Sequence, residues 1–166
     1  MSNVSYIPKP LFDTLAEVID QHALVYAQEN PLHTIRQWLN RCLQDAKITI
    51  PQYASKDYQL VLNFLYSYRG SADTFNAYRR ELERFIHWSW FVREQSVLKH
   101  KRDDIETFIQ FCIKPYKRWI ALKKVSRFKI KDGLRVPNPE WRPFEACLSK
   151  IERRDGSEPE KENYEF

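Results

Sequence analysis

The stretch DTFNAYRRELERFIHW, residues 73–88, crowds arginines and aromatic rings into one short run, and its reading decides the fold. At 100° per residue, Phe75, Tyr78, Leu82, Phe85, Ile86 and Ser89 share one stripe, whereas Asn76, Arg80, Arg84 and His87 project from the other side. The run therefore predicts an amphipathic helix with its rings toward a core and a guanidinium row toward solvent. Arg69 and Gly70 stop the preceding element, and Ser71 or Asp73 offers the N-cap. Glu81 and Glu83 sit on the same helix and neutralise part of the row, so a merely solvated face is the plain alternative to a binding surface.

Working outward, residues 56–68 form a dense apolar helix through Tyr58, Leu60, Val61, Leu62, Phe64 and Leu65, expected at the centre of the core. Earlier, Leu11, Leu15, Val18, Ile19 and His22 predict a helix from Pro10 to Glu29. Ile35, Trp38, Leu39 and Cys42 predict another over about Leu32 to Lys47. The β-branched run ITIPQYAS, with Pro51, reads as a linker. Downstream, Asp103 and Glu106 suggest a capping box for a fifth helix with Ile105, Phe108, Ile109 and Cys112 on its apolar face, closed by Pro115. From there to Pro139 the chain reads as irregular and basic, with Tyr116, Trp119 and Phe128 interleaved; a short apolar run, WRPFEACLSKI, follows. With only three glycines and apolar positions at helical spacing, the expected fold is all-α.

The chain has 166 residues and a formal net charge of +5, but the charge is unevenly spread. Residues 114–135 hold nine basic side chains against Asp132 alone, a surplus of eight, which is an electrostatic footprint for a polyanion. Residues 152–166 hold three basic and six acidic side chains and are expected to be disordered. Cys42, Cys112 and Cys147 are widely spaced, without a CxxC pair, and are expected as reduced core residues of a cytoplasmic protein. No apolar run nears the roughly 20 residues of a membrane span, so no membrane role is expected. His22, His33, His87 and His100 fall on different elements, and no metal-ligand spacing, phosphate loop or nucleophile elbow occurs. The expectation is a chain with no catalytic residue, cofactor, metal or small-molecule substrate of its own.

Two strings sharpen the reading. Within YQLVLNFLYSYRGSADTFNAYRRELERFIHW, residues 58–88, an apolar helix and a Ser-containing break precede Thr74, Tyr78, Leu82 and Phe85 in a T-x-x-x-Y-x-x-x-L-x-x-F pattern. Further on come Asp103-Asp104-Ile105, then Pro115, Trp119 and WRPF at 141–144. In this order they resemble the N-terminal core-binding, SAM-like domain of tyrosine recombinases, the phage-type integrases. The resemblance covers roughly residues 54–148. It implies a division into an N-terminal helical extension (1–53), a core-binding domain (54–151) and an acidic tail (152–166), and a chain that stops before the family's catalytic domain. Tyr164 has no HxxR string before it and is not taken as a nucleophile.

What the resemblance implies is a module that clamps double-stranded DNA at a recombination core site, alongside other recombinase protomers, for DNA integration and recombination. The candidate contacts are Thr74 at the start of the helix after the break and Arg79, Arg80, Arg84 and His87 along it. Lys99, Lys101 and Arg102 in the following loop, with Lys123, Lys124, Arg127 and Lys129 in the basic block, would grip the backbone. A helical protein-interaction module whose basic block is only a solvated surface is the competing reading; the acidic balance of residues 1–50 suits it. A helix-turn-helix regulator fits less well, because the helix after the break is too long.

Overall fold

The computed structural model describes residues 5–44, 47–148 and 150–166. Its longer helices are α1 (Leu15–Tyr26), α2 (Pro31–Leu43), α3 (Ala54–Ser67), α4 (Ala72–Phe91) and α5 (Arg102–Ile113), with a short α6 (Lys150–Arg154). Four short strands join them: β1 (Ile120–Ala121), β2 (Phe128–Lys131), β3 (Leu134–Pro137) and β4 (Phe144–Glu145). The fold is therefore mixed α and β, and the all-α expectation is corrected.

The correction comes from the basic block. β1 pairs in parallel with β4, and β2 pairs antiparallel with β3, Lys129 opposite Val136 and Ile130 opposite Arg135. Between β2 and β3, Asp132 (φ 53°) and Gly133 (φ 77°) both occupy the left-handed region, which is what a two-residue hairpin turn of the twist-matched kind requires. An Asp-Gly pair between FKIK and LRVP is a strong local hairpin signal. Charge density masks it when the segment is scanned for apolar periodicity.

Caps fix several helix starts. The Asn30 side chain accepts from His33 N at 3.2 Å, with Pro31 in the first turn of α2. Ser71 Oγ accepts from Thr74 N at 3.4 Å to open α4. At α5, Asp104 rather than Glu106 closes the box, accepting from Lys101 N at 2.8 Å. The end of α2 lies at Leu43, short of Lys47; Asp45 and Ala46 are outside the described residues.

The largest local departure is at the N-terminal side. Residues 6–13 are not helical; they form an extended arm through the core, with Tyr6, Leu11 and Phe12 buried. The arm's backbone groups are satisfied by distant side chains. Leu11 N and Phe12 N both donate to Glu83 Oε1 of α4, and Trp38 Nε1 donates to Leu11 O at 2.9 Å. Trp119 Nε1 donates to Tyr6 O at 3.1 Å. Leu11 O, which Leu15 N would use in a helix starting at Pro10, is taken by Trp38 and Tyr58 instead.

One apolar core joins this arm to all the long helices and to the strand region, running from Tyr6 through Ile35, Tyr58, Phe75 and Trp90 to Trp119 and Phe144. It draws on residues either side of position 53. Asp57 is buried within it and accepts from Trp90 Nε1 (2.9 Å), Ser96 Oγ (2.6 Å) and Val97 N (2.9 Å). Those three neutral donors replace the water the carboxylate has lost. In the 152–166 segment, Tyr164 Oη donates to Cys112 O at 2.8 Å and its ring meets Phe144 edge-on. Among the described residues, no helix is long and apolar enough to cross a membrane. Cys42 and Cys112 are buried, whereas Cys147 is exposed rather than in the core.

Candidate nucleic-acid interface

A cleft of about 710 Å³ opens between the outer face of α4 and the segments that bracket the β2–β3 hairpin. Asn76, Arg79, Arg80, Glu81 and Arg84 form its helical wall; Lys124 to Phe128, Arg135 and Trp141 to Pro143 form the other. Seven cationic side chains, Arg79, Arg80, Arg84, Lys124, Arg127, Arg135 and Arg142, line it against the carboxylates of Asp13, Glu81, Glu145 and Glu165. The balance favours anions.

The seven are not equivalent. Arg127 donates to Glu83, which is itself buried, and its guanidinium lies 5.0 Å from the Trp141 ring centroid. Arg135 grips Asp13 with two parallel bonds of 2.6 and 2.7 Å, which raises its pKa further. Arg79 Nη1 donates to Asp13 O at 2.6 Å; burial, helped by the nearby Arg127 charge, lowers its pKa to about 10. Its Nε is buried without a hydrogen-bond partner. Arg84 Nε donates to Pro143 O at 2.8 Å, and its guanidinium sits 4.4 Å from the Phe144 centroid. Arg142 is turned to Pro139 O and Trp141 O, 2.7 Å from each. By contrast, Arg80 is exposed and pairs with half-buried Glu81 at 3.0 Å, and Lys124 is exposed with no ion pair among the described residues.

Of the residues singled out from the sequence, the fold brings Arg79, Arg80, Arg84, Lys124 and Arg127 to this cleft. Lys123 and Lys129 are exposed on the same basic block but do not line it; Lys123 lies 3.6 Å from Glu140. Thr74 is half-buried at the start of α4, its hydroxyl 3.0 Å from Ser71 Oγ. Lys99, Lys101 and Arg102 are exposed at the turn into α5, apart from the cleft.

His87 departs most from expectation. Instead of projecting outward it is wholly buried, with Nδ1 3.0 Å from Tyr6 Oη and Nε2 2.8 Å from Lys9 O. A neutral ring donating from Nε2 to the carbonyl and accepting at Nδ1 from the phenol satisfies both contacts. Burial pushes its pKa down to about 4. The one-sided helical wheel misleads here because residues 86–91 of α4 are all buried: Tyr6 of the N-terminal arm and Trp119 cover the side on which His87 lies. Conversely, Tyr78 is exposed and clusters with Phe64 and Tyr68, ring centroids 4.7 to 5.2 Å apart.

No known protein family, curated protein or solved structure matches the chain. The site therefore stands on its own residues. Two of its cations, Arg135 and Arg142, are absent from the residues picked out by sequence. The hairpin register carries Arg135 back over Asp13, and Arg142 lies inside the WRPF string, so both have a sequence signal once the strands are recognised.

Proposed function

We propose that the chain binds double-stranded DNA along the face formed by the basic cleft and the strand region, as the DNA-gripping module of a site-specific tyrosine recombinase of the phage-integrase kind. The observation that supports this most is the convergence of exposed Arg80 and Lys124 with the braced cations Arg84, Arg127 and Arg142 on one open cleft. Braced guanidinium groups hold a fixed geometry, and the exposed pair meets the phosphate backbone with little to give up, since the Arg80–Glu81 bridge is solvated and weak. Strand cleavage and joining, in this reading, are the work of a separate catalytic domain, and further recombinase protomers complete the assembly. Reach into the nucleus of a recombination site is not required for affinity; neutralising about six phosphates suffices for tight, salt-sensitive binding.

Fluorescence anisotropy with a short duplex tests it. Affinity is expected to fall about a thousandfold between 50 and 200 mM salt. The Arg80→Ala/Lys124→Ala variant is expected to weaken binding with the fold intact, because both side chains are exposed. Absence of association at low salt overturns the proposal.

The cluster of exposed Phe64 and Tyr78 with half-buried Tyr68 favours the second reading, a helical protein-interaction module, since solvated aromatic clusters mark docking surfaces. Under that reading duplex binding is absent or insensitive to salt, and Tyr78→Ser rather than the cleft variant abolishes partner capture.

A further inference from the structure

The β2–β3 hairpin joins a fixed base to an open tip. At the base, Phe128 is buried with its ring 5.7 Å from that of Trp38, and Arg135 is held on Asp13. Asn138 closes the stem, its N–H donating to Arg127 O at 2.8 Å and its side chain to Ser126 O at 3.0 Å. At the tip, Ile130 is 70% and Leu134 59% exposed. Lys129 and Lys131 are also exposed and enter no ion pair among the described residues. The register places Lys131 opposite Leu134 and Lys129 opposite Val136, with Ile130 on the reverse face. Here two aliphatic side chains are held in water, flanked by cations, on a rigid stem.

Resting on the DNA-binding reading above, we infer that this hairpin is a groove-reading ribbon that enters the major groove of the duplex held at the cleft. Three observations select that occupant. The stem is continuous with the cleft, because Arg127, Phe128 and Arg135 are part of its wall. The tip lysines complement a polyanion. A two-stranded ribbon fits the major groove, about 12 Å wide, and not the minor groove at about 6 Å. The face that carries Leu134 with Lys129 and Lys131 then turns to the groove floor, Leu134 meeting base edges where the thymine methyl is the apolar feature on offer and the two lysines reaching phosphates along the groove edge, while Ile130 on the reverse face lies toward the groove wall. The cleft holds the backbone and the hairpin reads the sequence.

Binding of a short duplex containing both A·T and G·C pairs, titrated between 50 and 200 mM salt, tests this with three variants of the full chain. Lys129→Ala/Lys131→Ala is expected to lower affinity and to reduce the salt slope by about two. Ile130→Ser/Leu134→Ser is expected to lower affinity about tenfold with the salt slope unchanged, as apolar base contacts require. Arg80→Ala/Lys124→Ala serves as the cleft comparison. All six side chains are exposed, and matching thermal melts establish that each variant is folded. Methylation at guanine N7, a major-groove atom, is expected to be suppressed by the wild-type chain and restored with both tip variants. If the tip variants bind like the wild type while the cleft variant weakens, or if guanine N7 stays fully reactive under bound wild type, the hairpin inference is overturned and duplex binding stands. If the wild-type chain binds no duplex, duplex binding itself is overturned and the inference with it.

Discussion

Helix α4 and the β2–β3 hairpin both carry cations beside one cleft, yet they treat those cations in opposite ways. On α4, Arg79 and Arg84 are committed to Asp13 O and Pro143 O, and buried Glu83 takes in Arg127 from across the cleft. On the hairpin, only Arg135 at the stem is committed, and Lys129 and Lys131 stay in water. The committed side chains are all arginines and the free ones on the hairpin are lysines, but exposed Arg80, paired only with solvated Glu81, shows that a buried acceptor and not the guanidinium alone makes the commitment. A guanidinium that finds one becomes part of the scaffold, and removing it is felt as lost stability. A lysine that finds none contributes little to folding and remains available to a ligand.

The contrast can be broken first at Glu83. Its carboxylate serves Leu11 N, Phe12 N and Arg127 together, so Glu83→Ala leaves two buried amides and a half-buried guanidinium without that acceptor. A loss of about 3–5 kcal/mol is expected in urea denaturation, and a loss below about 1 kcal/mol would refute the scaffold role. Second is the pH response of His87. Its folded pKa, about 4, lies below the ordinary 6.5, so between these values the unfolded chain binds a proton that the folded chain does not. The stabilising contribution is complete above pH 6.5 and is lost as pH falls toward 4. It amounts to about 3 kcal/mol, read as a slope in stability that His87→Gln flattens. Third, Arg84→Ala removes the bond to Pro143 O and the contact with the Phe144 ring and is expected to cost about 1–2 kcal/mol, measured by thermal melting. Smallest is Lys129→Ala/Lys131→Ala, expected to shift stability by no more than about 0.5 kcal/mol per site while weakening duplex binding. If stability fell further, the hairpin lysines would belong with the scaffold after all.

The same contrast explains what the sequence makes legible. Helices α2 to α5 announce themselves because their signals are local: Asn30 with Pro31, Ser71 ahead of Thr74, and apolar positions at helical spacing. The N-terminal arm is opaque because Leu11, Leu15 and Val18 satisfy a helical period, and only acceptors far along the chain show why residues before Thr14 stay extended. Glu83 and His87 mislead for a related reason. A wheel assigns polar residues outward, and it has no means of knowing that the last turns of α4 are enclosed. Ile105 and Ile109 show the converse, an apolar spacing on α5 that remains 40% and 43% exposed. At the cleft, the sequence supplies most of the cations but cannot distinguish braced from available ones, since that depends on where Asp13, Pro143 and Glu83 arrive in space.

The arm also dictates a timetable. Leu11 N must wait for Glu83, 72 residues later, and Tyr6 O for Trp119, 113 residues later. A chain emerging from the ribosome in order can form α1 to α4 early, but its first segment finds its seat only once the region beyond residue 119 is made. Closure of the core around Tyr6 is thus a late, long-range step, of the kind that slows folding and leaves that ring without its Trp119 contact while synthesis proceeds.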